Sequence, residues 1–177
     1  IMPRLLFSFL LAMGYKGKFE QKIIQALDRA TPFTLKMQSL TGEVPYGGRS
    51  NQFLHNEAME AAYFEIEATR YRQKGEIEFA RKLKAAAERS GRILEEYLSL
   101  KPVSHVKNRF DINSRIGCED YGYFNKYMIT VASNIFMGYM FADDSIIPKE
   151  ETRESYTVST GEEFHKTFVS AGGYFLE

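Results

Sequence analysis

Tyr71-Arg-Gln-Lys-Gly-Glu-Ile-Glu-Phe-Ala-Arg-Lys-Leu83 is the stretch on which the fold turns, because Gly75 separates two long helical patterns in it. Ahead of the glycine, from Asn51 to about Lys74, Leu54, Ala58, Ala61, Ala62, Phe64, Ile66 and Ala68 supply packing residues, and Ser50 or Asn51 can cap the start. Behind it, from Glu76 to Leu98, Phe79, Ala80, Leu83, Ala87, Ile93, Leu94 and Leu98 fall on an inner side and lysines and arginines on the outer one. A break of one residue between two such segments predicts an antiparallel helical hairpin.

Working towards the N-terminus, Gly42–Glu57 is a loop rich in glycine and proline that runs into the hairpin's first helix. Before it, Lys18–Leu40 carries Phe19, Ile23, Ile24, Leu27, Ala30 and Leu35 at helical spacing, and Thr31-Pro32 predicts a kink or restart within it. Pro3–Met13 is apolar nearly all round, which predicts a helix covered on more than one side. Arg4 ahead of Leu5–Met13 also has the outline of a short signal peptide, the reading that would go with a secreted or periplasmic protein, but the run is too short to span a bilayer. Towards the C-terminus, a long loop over Lys101–Cys118 leads to a last helix from Glu119 to about Ala142. Tyr156–Ser159, Phe164–Val169 and Tyr174–Leu176 then read as short strands separated by Thr160-Gly161 and Gly172-Gly173. The expected fold is mainly α, with helical hairpins over 1–150 and a β-rich segment over 151–177. A start at Ile1 and an apolar end suggest a processed or truncated chain.

Composition narrows the function classes. Twenty-three Lys and Arg balance 23 Asp and Glu, so there is no electrostatic case for nucleic acid. The single cysteine, Cys118, excludes an internal disulfide and a cysteine-based zinc cluster, and the three histidines show no metal-ligand spacing. Walker, dinucleotide-binding and nucleophile-elbow motifs are lacking, so neither cofactor nor metal is expected.

Two loop-to-helix junctions gather the polar chemistry. In the first, Arg49, Ser50, Asn51, His55, Asn56 and Glu57 bring a cation, a hydroxyl, carboxamides, an imidazole and a carboxylate to a helix N-terminus, where free N–H groups favour anionic ligands. With the helix starting at Asn51, His55 lies one turn on and on the same face. Gly47-Gly48 implies a backbone that approaches something closely. Each residue also has a plainer use, as cap, solvated charge or N-terminal helix carboxylate, and the same holds for Glu57 and Glu60. The second junction, Arg115-Ile-Gly-Cys-Glu-Asp-Tyr-Gly-Tyr-Phe-Asn125, offers Asp120 as cap or acid and Tyr121 and Tyr123 as proton carriers or packing anchors.

Pro45-Tyr-Gly-Gly-Arg-Ser-Asn-Gln52 and Asp120-Tyr-Gly-Tyr123, at loop-to-helix junctions in a chain of helical hairpins that turns to β, resemble the (α/α) toroid carbohydrate-active enzymes, the polysaccharide lyases in particular. The resemblance implies β-elimination on an acidic, uronate-containing polysaccharide or oligosaccharide. Arg49, Asn51 and His55 would neutralise the uronate, and Tyr121 or Tyr123 would handle the proton. A complete toroid needs more hairpins than this chain holds, so the remainder of its own chain is an expected partner. A glycoside hydrolase on the same scaffold would use two carboxylates, such as Glu57 and Asp120. From another class, Tyr71–Leu83 is similar to a tetratricopeptide hairpin, which implies a non-catalytic interaction protein, although no second copy of it recurs at a fixed period.

Overall fold

Gly75 does what its position demands. The computed structural model describes residues 1–46, 52–107, 124–149, 155–162 and 165–177. In it Gly75 ends one helix with φ of 83°, its N–H bonds the Arg72 carbonyl at 2.9 Å, and the Glu76 N–H bonds that of Tyr71 at 3.0 Å. This pair of bonds is a Schellman stop, which needs the left-handed conformation that glycine adopts without strain. Two antiparallel helices result. In chain order the described elements are α1 (Met2–Ala12), α2 (Glu20–Met37), α3 (His55–Gln73), α4 (Ile77–Ser99), α5 (Phe124–Phe141), β1 (Tyr156–Ser159), β2 (Thr167–Ala171) and β3 (Tyr174–Leu176). The protein is mainly helical, with a short C-terminal antiparallel sheet in the order β1-β2-β3. None of the described helices is long and apolar enough to cross a membrane.

Helix α3 is central, with α1, α4 and α5 packed around it. Alanines at 58, 62, 68, 80, 86 and 87 are buried and bring the helix axes close together. The main core gathers Leu5, Leu27, Tyr63, Phe64 and Leu83, while Leu54, Ala58, Ile93, Leu94 and Val131 form a second cluster towards the start of α3. Glu67, fully buried on α3, stitches three helices together. It accepts hydrogen bonds from Ser8 of α1, from Thr31 of α2 at 2.8 Å and from Arg70 at 2.6 Å, and Arg70 continues to Asp28 at 2.8 Å. Both oxygens of this buried carboxylate thus meet donors, as burial requires.

Several expectations need correction. Helix α3 begins at His55 rather than Asn51, because Phe53 forms an antiparallel bridge with Val106. The Leu54 N–H bonds the His105 carbonyl and the Lys107 N–H that of Gln52, both at 2.8 Å. Backbone groups committed to that ladder cannot open a helix. Helix α2 continues through Pro32 without a restart, and the Thr34 hydroxyl donates to the Ala30 carbonyl close to the missing donor. Helix α1 buries only Leu5 and Ser8 and leaves Met2, Leu6, Phe7, Leu10 and Met13 exposed, so it is covered on one side. Strand β2 is Thr167–Ala171, with Phe164 outside the described residues, and the Lys166 carbonyl just before it accepts from the Thr160 N–H at 2.8 Å.

The sheet meets the end of α2. Register pairs Tyr156 with Ser170 and Ser170 with Phe175, Phe168 is wholly buried, and the Tyr156 hydroxyl donates to the Lys36 carbonyl at the end of α2 at 2.6 Å. Lys166 donates to the Tyr46 carbonyl and pairs with Glu177. These contacts set the sheet beside the 39–46 loop and close one wall of a cleft.

Candidate functional site

The cleft has a volume of about 490 Å³. One wall is the loop after α2, with Glu43, Val44 and Tyr46. Ile93, Glu96 and Tyr97 of α4 form another, Phe175 and Glu177 of the sheet a third, and Lys107 and Gln52 complete the lining. Aromatic faces, carboxylates and one ammonium thus share a concave surface, the mixture of apolar lining and a few polar groups that ligand sites use.

The loop wall is fixed by its own hydrogen bonds and by a close approach to α4. Ser39 and Thr41 hydroxyls donate to Glu43, and the Ser39 N–H bonds the Glu43 carbonyl at 3.0 Å. Burial pushes the Glu43 carboxyl up, but these donors, its own N–H and the Lys107 charge outweigh burial and hold it below the usual carboxylate range. Gly42 has φ of 107°, and a Cβ there would stand 2.4 Å from the Arg89 carbonyl carbon and 2.7 Å from the Ser90 nitrogen. Only glycine allows the loop to lie this close on α4.

Behind the lining lie two buried glutamates. Glu57, with no exposed side-chain surface, accepts from Lys107 Nζ at 2.6 Å and from the Val44 N–H at 3.4 Å, both through Oε1, and Oε2 has no hydrogen-bond partner among the described residues. Burial raises its pKa, an effect that Lys107 and the N–H donors only partly offset. Glu60, one turn on, is fully buried, and burial together with the neighbouring Glu57 pushes its carboxyl up to about 8. Its surroundings agree with a protonated acid. Ser90 Oγ lies 3.1 Å from Glu60 Oε2 and 2.8 Å from the Gly42 carbonyl, and it also accepts from Gln38 Nε2 at 2.9 Å. A serine hydroxyl holds one proton; when the Gly42 carbonyl takes it, a protonated Glu60 supplies the other.

Of the residues expected to form the site, Arg49, Ser50, Asn51, Asp120, Tyr121 and Tyr123 lie outside the described residues. His55 is buried beside the stacked pair of Phe53 and Tyr127, whose centroids are 4.4 Å apart, with its own ring 6.0 Å from Phe53 and tilted against Tyr127 at 4.9 Å. His105, 5.6 Å from Phe53, joins the same aromatic cluster. Asn56 turns its amide back to the Phe53 carbonyl at 3.1 Å, where it secures the start of α3. Neither His55 nor Asn56 lines the cleft, whereas Glu57 reaches it through Lys107. The expected site residues missed Glu43, Tyr46, Glu96, Tyr97, Lys107 and Phe175. Tyr46 stands within the loop motif and carried a signal; Lys107 is fifty positions from its partner and carried none. Among the described residues, no group of three His, Cys, Asp or Glu side chains is arranged to hold a metal ion.

Comparison with protein-family models, characterised proteins and solved structures finds no match. The toroid resemblance therefore rests on the two sequence motifs and on the helical hairpin.

Proposed function

We propose that the protein is carbohydrate-active and that the cleft beside the 39–46 loop takes a glycan. The observation that carries this reading is the lining itself: Tyr46, Tyr97 and Phe175 supply faces for sugar C–H surfaces, and Glu43 and Glu96 supply acceptors for hydroxyl groups around one concave volume. Lys107, oriented by Glu57, is a cation of the lining, and its ammonium has further protons to give a ligand oxygen. We assign a uronate carboxylate to Lys107, the ammonium of the lining, because it offers the anion a charge-assisted hydrogen bond.

The reaction we propose is the β-elimination that the sequence motifs suggest, with Arg49 and Asn51 acting with Lys107 on the uronate and Tyr121 or Tyr123 on the proton. His55 takes the part of a packing residue in this scheme, since its ring is buried against Phe53 and Tyr127. A screen of neutral and uronate-containing polysaccharides, followed in the near ultraviolet, tests the proposal. New absorbance from unsaturated sugar ends supports a lyase, and reducing ends without absorbance transfer the reading to a hydrolase. Absence of both cleavage and binding across the screen rejects the carbohydrate reading.

A further inference from the structure

Among the described residues, helix α5 is packed on one side only. Val131, Asn134 and Gly138 turn inward, and Gly138 brings α5 so near α3 that a Cβ there would lie 3.1 Å from Ala62 Cα. The opposite side presents Ile129, Ile135, Phe136, Tyr139 and Met140, all between 42 and 78 % exposed. Lys126 is the helix's one charged residue. Helix α1 adjoins it, with Phe9 meeting Phe141 edge-on at 5.6 Å, and adds the exposed apolar residues named above. At about 150–250 Å² per large side chain, the five α5 residues leave on the order of 600 Å² of apolar-residue surface and those of α1 on the order of 400 Å². A typical monomer's largest apolar patch is about 300–600 Å², and a stable interface takes about 800 Å² from each partner.

We infer that this face is covered by a second copy of the chain, with α5 packed antiparallel to its counterpart across a two-fold axis. Two features favour a copy over a different protein. The face holds almost no charge for a foreign partner to match, and 23 cationic residues balance 23 anionic ones, so copies do not repel each other. The α5 seam is also self-complementary, as a two-fold interface requires. Ile129, Ser133, Phe136 and Met140 follow one another along one side of the helix, and the antiparallel register that sets Phe136 opposite Ser133 also sets Ile129 opposite Met140. The bulk of Phe136 then faces a small residue, whose hydroxyl is already satisfied by the Ile129 carbonyl at 2.8 Å.

Sedimentation velocity of the whole chain over a range of micromolar concentrations tests the inference. A species of twice 20.4 kDa is expected, and Phe136→Glu, at an exposed position, should weaken it at least about a hundredfold with an unchanged helical circular-dichroism spectrum. Substituting Ile129 and Met140 together by cysteine, in a Cys118→Ser background, should give an inter-chain disulfide on mild oxidation. A parent chain that stays at 20.4 kDa throughout, or a dimer that keeps its affinity in Phe136→Glu, overturns it.

Discussion

Lys107 and Glu57, fifty residues apart in sequence, meet at 2.6 Å between Nζ and Oε1, and the pair joins the cleft to the interior of α3. The lysine faces the cleft and the glutamate has no exposed surface, so the charge on one side depends on an anion the solvent does not reach. Removing one partner of a buried pair leaves the other uncompensated, at a cost of about 3–5 kcal/mol. Lys107→Met is expected to destabilise the protein by roughly that amount in urea unfolding. Lys107→Met with Glu57→Leu should recover most of it, because an apolar pair of similar volume removes the stranded charge. A double variant as unstable as the single one would show that the pair is not the cause.

Glu60 makes stability depend on pH in a defined direction. Its folded-state pKa, about 8, lies above the ordinary 4.5, so the folded protein holds a proton that the unfolded chain releases in that interval. The stabilisation is complete below about pH 4.5 and declines as the pH rises to about 8, by roughly 1.4 kcal/mol for each pH unit crossed. Glu57, also raised, acts with the same sign. The urea midpoint should therefore fall from about pH 5 to about pH 8, and Glu60→Gln should flatten the profile. Parallel profiles for parent and variant would contradict the assignment.

Gly42→Ala is expected to destabilise the protein by at least about 1–3 kcal/mol, since a side chain there is strained at positive φ and strikes the α4 backbone. Relief would have to move the 39–46 loop away from Arg89 and Ser90, so ligand affinity of the cleft should fall as well. Gly14→Ala, also at positive φ but with open space around it, provides the control for strain without collision.

The helices are legible in the sequence because their signals are local. Gly75 places the hairpin turn, the apolar spacing of 76–98 marks α4, and Gly172-Gly173 locates the last turn of the sheet. Gln52–Leu54 read as helix in sequence but are not, because the bridge of Phe53 to Val106 depends on a segment some fifty residues away. His55 stands out as an imidazole at a helix start, but its aromatic stack comes from Phe53 and from Tyr127 of α5, which no local pattern reveals. Glu57 is recognisable as a carboxylate in a polar cluster, yet its partner Lys107 is invisible without the fold. A loop motif shows that a site exists more readily than it shows which side chains line it.

Tyr46 offers the lightest change to the cleft. It is well exposed, so Tyr46→Ala should leave stability unaltered and weaken glycan binding about threefold to tenfold, the value of one aromatic face.

Calorimetric titration of the parent, Tyr46→Ala and Lys107→Met, each shown to be folded, with neutral and uronate-containing oligosaccharides tests the central claim most directly. The account predicts saturable binding by the parent, weaker binding of both sugar classes by Tyr46→Ala, and a loss confined to the uronate ligand in Lys107→Met. Glycan binding of equal strength in all three proteins, or none in the parent, would contradict it.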